Sequence, residues 1–162
     1  MGGTMKKDRI IAVLATICAF SVIMMVVTLK RADPVALFTP PPFDSTAESG
    51  IPDVPSGMGY QELDVQVFRV SLSGEIHVRD GAAGVWLPNP EGNSVWLKVR
   101  ILDQEGSILG ESGLLRSGEY VRWVETGEIQ PGTTVILKVM AYEPETYHSA
   151  GALVFHAPIV VE

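Results

Sequence analysis

The sequence predicts an all-β antiparallel sandwich preceded by one N-terminal transmembrane α-helix. Three observations predict this class: an uncharged apolar run near the N-terminus, a proline-rich stretch after it, and short segments of alternating polarity from Tyr60 onward. They divide the 162 residues into a short N-terminal segment (1–9), a helix (10–29), a Pro-rich linker (30–59) and a sandwich domain (60–162).

The apolar run contains no charged side chain between residues 10 and 29. About twenty helical residues rise about 30 Å, which is the thickness of the hydrocarbon core of a bilayer. A cleaved signal peptide has a shorter apolar region that ends in a small-residue cleavage site, whereas this run is followed by Lys30 and Arg31. We therefore expect an uncleaved anchor that contacts membrane lipid through residues 10–29.

Basic residues flank the run on both sides. Lys6, Lys7 and Arg9 precede it, and Lys30 and Arg31 follow it. The positive-inside rule favours a cytoplasmic N-terminus by one side chain and the terminal amine. This predicts a single-pass protein of the plasma membrane with its C-terminal domain outside the cytoplasm, and leaves a cytoplasmic domain as the alternative.

The linker is rich in residues that interrupt regular structure. Proline fixes φ and lacks a backbone donor, so neither a helix nor a sheet is expected to continue through it. We expect an extended, flexible spacer, and the alternative is a polyproline ligand for a partner. The prolines of this segment are Pro34, Pro40, Pro41, Pro42, Pro52 and Pro55.

Charge and cysteine content restrict the function of the domain. The chain has a formal net charge of −7, and its acidic residues are concentrated after residue 60. An acidic surface argues against nucleic acid as a partner, because that polymer requires positive charge. The single cysteine, Cys18, lies in the apolar run, so the domain has neither a disulfide nor thiol chemistry.

Alternating segments separated by turn residues predict the strands of the domain. A phase change at Phe68 predicts a bulge or bend, and Pro158 predicts that the last strand lies at an edge. In segment 94–103, alternation directs Val95, Leu97, Val99 and Ile101 into the core and the residues between them outward. The candidate strands are 64–73, 75–79, 83–88, 94–103, 108–111, 120–125, 134–142 and 152–161.

Two resemblances add to this prediction. Residues 129–142 (IQPGTTVILKVMAY) resemble the L-x-P-G-T-x-Y-x-V-x-V-x-A turn and strand of fibronectin type III modules, with Val135 at that family's corner tyrosine. The whole layout resembles small single-pass membrane proteins of Gram-positive bacteria, through a basic start, one helix, a Pro-rich linker and turn motifs in the domain. Both imply an immunoglobulin-like or fibronectin-like sandwich at a membrane, and neither implies an activity. The turn motifs are Asn89-Pro90 with Asn93, Leu102-Asp103 with Gly106, and Ala141-Tyr142.

The sequence predicts no enzyme, no metal and no cofactor. His77, His148 and His156 lie in separate segments without metal-ligand spacing, and no G-x-S-x-G elbow is present. Residues 103–106 resemble a fragment of a calcium loop but lack its further carboxylates, which favours an acidic hairpin turn.

Aromatic and cationic residues remain as candidates for recognition. Tryptophan and arginine are enriched in protein interfaces, and alternation turns Trp96, Lys98 and Arg100 outward. Together with Trp86 and Trp123 they form the predicted interaction surface; packing of the sheet face and sugar stacking are the alternatives. The function predicted is a non-catalytic binding, adhesion or scaffold module at the cell envelope with a protein partner there. A subunit of a larger membrane secretion or conjugation assembly is the alternative, and a carbohydrate-binding module or an enzyme is a remote one.

Overall fold

The computed structural model describes residues 4–30, 38–129 and 132–161, and within the helix it describes the side chains of residues 12–25. The chain forms two compact units, Met1–Thr39 and Pro40–Glu162. Parts of three predicted features lie outside the described residues: positions 1–3 of the N-terminal segment, positions 31–37 of the linker, and positions 130–131 of the fibronectin-like turn.

The first unit contains one α-helix, α1, over Thr4–Lys30. The hydroxyls of Thr16 and Ser21 donate to the carbonyls of Ala12 and Ile17 at 2.9 Å, so the helix satisfies these polar groups on its own backbone. Within the described part of the chain, no helix is both long enough and apolar enough to cross a membrane. The transmembrane assignment of residues 10–29 stays a prediction.

The second unit is built from β-strands, as predicted. The strands that the structure describes are β1 (Glu48–Ser49), β2 (Gln61–Val65), β3 (Phe68–Leu72), β4 (Ile76–Arg79), β5 (Ala82–Asn89), β6 (Trp96–Leu102), β7 (Ile108–Glu111), β8 (Glu119–Glu125), β9 (Thr134–Tyr142) and β10 (Ser149–Val161).

Strand β10 joins the two layers of a β-sandwich. Hydrogen bonding orders eight strands as β1-β8-β5-β4-β10-β9-β6-β7, and β2 pairs with β3 separately. Residues 149–158 of β10 pair antiparallel with β9, and residues 159–161 pair parallel with β4. Pro158 therefore lies where the strand changes layers, at the edge of each, and an edge position tolerates its missing N–H. The mostly β-sheet fold is confirmed and is consistent with the predicted sandwich. Among the described strands, the parallel pair of β10 and β4 departs from the predicted antiparallel pairing, and alternation along a strand does not reveal it.

The core between the layers contains the predicted inward face of β6. Val95, Leu97, Val99 and Ile101 are all at most 4% exposed. They pack with apolar residues of both layers and of the β2–β3 hairpin, among them Val70, Leu87, Val121, Leu137 and Ile159.

The predicted strand 64–73 is wrong, because it contains a hairpin. Strands β2 and β3 pair antiparallel with Val65 opposite Phe68, so Gln66 and Val67 form the turn. The change of phase at Phe68 marks this reversal of the chain and not a bulge within one strand. Beyond the turn, Phe68 and Val70 face the core, and Val67 is exposed.

The compact unit that contains the strands begins at Pro40, so it includes residues 40–59 of the predicted linker. Residues 42–49, here named the strap, lie along the sandwich edge. The Leu114 N–H donates to the Pro42 carbonyl and the Asp44 N–H donates to the Leu114 carbonyl, both at 2.9 Å. The Asp44 carboxylate accepts from the Gly113 N–H at 2.7 Å, and β1 pairs with β8. Proline excludes a helix here, but its carbonyl still accepts hydrogen bonds from an edge.

Candidate functional site

The structure divides the predicted interaction surface between the two layers. Trp96, Lys98 and Arg100 lie on β6 in one layer. Trp86 on β5 and Trp123 on β8 lie in the other. The five residues therefore form two clusters, and each is described separately below.

Lys98 is buried, although alternation predicted an outward side chain. It is 5% exposed, and its Nζ lies 2.8 Å from Oε1 of Glu111. Arg100 donates from Nε to Oε2 of the same carboxylate at 2.7 Å. Burial opposes ionisation of Glu111, but hydrogen bonds from Lys98 and Arg100 outweigh it and lower the pKa of this carboxyl. This outer face of β6 is thus an ion-pair network beside the neighbouring strand β7.

Trp96 packs against aromatic side chains of its own domain. Its ring centroid lies 4.8 Å from that of Phe43 in the strap and 5.3 Å from that of Tyr147. The guanidinium carbon of Arg116 lies 3.6 Å from the centroid of Phe43. These contacts favour the packing alternative for Trp96 over a platform for a ligand.

The second cluster is a row of stacked cations and rings, here named the ladder: Arg79, Trp123, Trp86, Arg122 and Tyr120. The guanidinium carbon of Arg79 lies 4.9 Å from the Trp123 ring centroid, and the two tryptophan centroids are 6.4 Å apart. The guanidinium carbon of Arg122 lies 5.7 Å from the ring centroids of both Trp86 and Tyr120. The guanidinium–ring distances are within the range of a cation–π attraction, and the tryptophan pair is within the range of an aromatic contact.

A bulge in β5 shapes the ladder. Gly84 is opposite Trp123 and Leu87 is opposite Val121, so two residues of β5 face the single residue Arg122 of β8. Trp86 is the second residue of this bulge and has a φ of 47°. A Cβ on Gly84 would lie 3.1 Å from Cζ3 of Trp123, so the glycine makes room for the ring. A glycine inside a strand is the sequence signal that could have predicted this bulge.

The strap contributes a carboxylate to the ladder. Glu48 accepts from Nη2 of Arg122 at 2.7 Å and from the Tyr120 hydroxyl at 2.9 Å. The hydrogen bond with Tyr120, together with the charge of Glu48, raises the pKa of Arg122. The Nε of Arg122 is buried and has no hydrogen-bond acceptor among the described residues.

Two grooves beside the ladder share Arg122 and Trp123 in their linings. The first, here named the ladder groove, has a volume of about 280 Å³, and the second has a volume of about 400 Å³. The ladder groove is also lined by Pro55, Met58, His77, Arg79 and Trp86, and the second groove by Thr46, Glu48, Ala82 and Glu125.

The acidic turn at residues 103–106 is a hairpin connection, as favoured. The Ser107 N–H donates to Oδ1 of Asp103 at 2.7 Å, and this backbone hydrogen bond is the largest contribution lowering the pKa of Asp103. Gly106 takes a φ of 89° in the turn. Across the described ranges, no group of three His, Cys, Asp or Glu side chains is placed to hold a metal ion.

No family model and no curated protein matches this sequence. Among solved structures, the crystal structure of CopC from Methylosinus trichosporium OB3b is similar with a TM-score of 0.35 and 14% sequence identity. The similarity covers 64% of this chain and 95% of that one. Likeness at this level says nothing about function, so the site must be interpreted from its own geometry.

Proposed function

We propose that this protein is a membrane-anchored, non-catalytic binding module with an immunoglobulin-like sandwich that holds a protein partner at the cell envelope. In this proposal residues 10–29 of α1 cross the plasma membrane and the sandwich lies outside the cytoplasm. The uncharged run and the flanking basic residues support the anchor and its direction.

The ladder is the observation that carries the proposal. Its two arginine side chains keep large exposed fractions, 60% for Arg79 and 42% for Arg122, beside two tryptophans. Tryptophan and arginine dominate the energetic hot spots of protein interfaces. The adjoining groove of about 280 Å³ lies just below the range of about 300–1,000 Å³ typical of small-molecule sites. Its size suits an anchoring side chain from a protein.

The packing of the tryptophans favours a protein partner over a sugar. Trp123 lies against Gly84, and Arg79 stacks on its ring. Trp86 is only 8% exposed, and Trp96 is packed by Phe43 and Tyr147. A sugar-stacking platform requires an open ring face, and these contacts occupy the rings.

A subunit of a larger membrane assembly is the second candidate function. In this alternative, the uncharged run 10–29 pairs with other membrane helices of a secretion or conjugation complex.

Site-specific photocrosslinking in intact cells of the source organism tests the proposal. A photoreactive residue replaces Pro55 or Glu125, which line the two grooves, and the matched control replaces Val154, which is 54% exposed on β10. We expect a discrete crosslinked protein from positions 55 and 125 and none from position 154. Equal crosslinking at all three positions, or none at any, would overturn the ladder as the binding surface.

Protease treatment of the same cells tests the location. A C-terminal epitope tag should be lost from intact cells if the sandwich is outside. Protection of the tag until lysis would place the sandwich in the cytoplasm and refute the envelope proposal. Crosslinking would then identify a partner on the cytoplasmic side.

A further inference from the structure

We propose that the ladder groove binds a carboxylate side chain from an acidic peptide segment of the partner. This inference rests on the proposed function and adds the chemistry of recognition. The ladder groove is lined by two arginines and a histidine, together with two tryptophans, a proline and a methionine, and none of these lining residues is acidic. This is unusual on a chain with a formal net charge of −7.

Arg79 supplies an accessible guanidinium at one side of the groove. Its Nε is 3.8 Å from Oδ2 of Asp80, and that aspartate side chain is 94% exposed. An ion pair that long and that exposed contributes little, so the guanidinium keeps donors for an incoming carboxylate. Stacking on Trp123 restrains the guanidinium plane of Arg79, so this side chain loses less conformational entropy when a ligand binds.

Arg122 lines the same groove and adds a second positive charge to it. Its side chain is 42% exposed, and its Nη2 donates to Glu48 at 2.7 Å. The exposed part of this guanidinium adds to the positive potential that Arg79 creates for an incoming carboxylate. The two arginines therefore form a receptor for one or two carboxylates.

The apolar part of the lining favours a peptide over a bare anion. Met58, Pro55 and Trp86 line the groove beside the cations. An inorganic anion would gain nothing from this surface. A peptide with an acidic side chain next to an apolar one would bury apolar area there and form charge-assisted hydrogen bonds at the same time.

Binding of two synthetic peptides to the full chain in detergent micelles tests the inference. The peptides are Ac-GLELEG-NH2 and the matched neutral Ac-GLQLQG-NH2, and a Trp96→Phe background leaves Trp86 and Trp123 as the fluorescent reporters. We expect a saturable change in fluorescence with the acidic peptide and an affinity for the neutral one that is lower by at least about 10-fold. Added salt should weaken the binding of the acidic peptide.

Two variants that each remove one positive charge show where the acidic peptide binds. Arg79→Gln should lower the affinity for the acidic peptide about 10-fold. Lys138→Gln, which removes one positive charge from β9 in the other layer, should leave it unchanged. Equal binding of the two peptides, no binding of either, or an equal loss in both variants would each overturn the inference.

Photocrosslinking in the Arg79→Gln background separates this inference from the proposed function. If crosslinks from positions 55 and 125 persist there at wild-type yield, the partner binds the ladder without a carboxylate. The proposed function then stands and the inference fails. Loss of these crosslinks in Arg79→Gln, with retention in Lys138→Gln, supports both.

Discussion

The outer faces of the two layers use the same residue types for different purposes. Each places a tryptophan near an arginine, and each arginine is paired with a glutamate from a different element. On β6 the carboxylate of Glu111 also neutralises Lys98, which is buried, and the Trp96 ring is packed by the protein itself. On the ladder the guanidiniums stay exposed beside a groove. The clearest difference between the two clusters is that the β6 cluster contains a buried cation, Lys98, whereas both cations of the ladder are partly exposed.

The strap contacts both faces. Phe43 near its start packs against Trp96, and Glu48 near its end pairs with Arg122. The strap thus completes the packing around Trp96 and adds one negative charge beside Arg122. Variants that each remove one contact test whether the two layers differ in stability and in peptide binding.

The largest effect is expected from Glu111→Ala. This variant leaves the buried ammonium of Lys98 without its carboxylate, and removing one partner of a buried ion pair costs about 3 kcal/mol of unfolding free energy. Urea denaturation of the full chain in micelles measures the loss. Glu111 does not line the ladder groove, so binding of the acidic peptide to the remaining folded protein should be unchanged.

The double variant Lys98→Met with Glu111→Ala is the control. It removes both charges, so most of the lost stability should return. A double variant no more stable than Glu111→Ala would show that the buried charge of Lys98 is not the cause.

A smaller loss of unfolding free energy is expected from Gly113→Ala, which changes the contact between Gly113 and the strap. A methyl group at this position would overlap the backbone of Asp44, so the strap must shift. Overpacking of this kind costs about 2 kcal/mol. Hydrogen exchange should speed up at the amides of Asp44 and Leu114, which bond across this contact.

Gly127→Ala is the matched control, because an added Cβ there meets nothing within 4 Å. Its exchange rates and stability should stay close to those of the wild type. If Gly113→Ala left the two amides as protected as this control does, the strap would not depend on close approach at Gly113.

The strands and the core were predictable because alternation is a local property. Segment 94–103 has a strict period of two, so its inward residues were assigned correctly. The burial of Lys98 was not predictable in the same way, since it depends on Glu111 from the neighbouring strand. Alternation shows which side of a strand a residue occupies, but not what covers that side.

Other features that the sequence did not predict also depend on contacts between distant residues. A run of prolines predicts an extended chain, yet the docking of the strap depends on carbonyl acceptors and on the space at Gly113. The tryptophans were grouped with Trp96 by residue type, whereas strand order places Trp86 and Trp123 in the other layer. Turn motifs located the loop at Asn89, but its fully buried amide, which donates to the Val95 and Leu115 carbonyls, became visible only in three dimensions.

A modest effect on stability is expected from Arg122→Gln in the ladder. Its ion pair with Glu48 is exposed, and such pairs contribute little to stability. The cation–π contacts with Trp86 and Tyr120 also contribute little at an exposed site, so the total loss of stability should be small. Binding of the acidic peptide should fall by a much larger proportion, as peptide titration of the variant would show.

Arg100→Gln is the counterpart in the other layer. It removes one hydrogen bond to Glu111 and should cost a similar, small amount of stability. Binding of the acidic peptide should not change. A loss of binding in Arg100→Gln equal to that in Arg122→Gln would remove the functional distinction between the layers.

The smallest effect is a pH dependence that belongs to the β6 cluster. Because its hydrogen bonds to Lys98 and Arg100 outweigh burial, Glu111 has a lowered pKa in the folded state. Its contribution is therefore present above about pH 4.3, the ordinary value for glutamate, and is lost as pH falls through the folded-state pKa. The stability difference between the wild type and Glu111→Gln should shrink over that range. The change should be smaller than the cost of Glu111→Ala, because the lowered pKa keeps part of the carboxylates ionised at pH 3. Urea denaturation at pH 3, 4, 5 and 7 measures this change in stability.

Gly127→Ala is the control, and its difference in stability from the wild type should stay constant over this pH range. A constant difference for Glu111→Gln as well would mean that the carboxylate is not stabilised in its charged form. The contrast between the layers would then rest on burial alone.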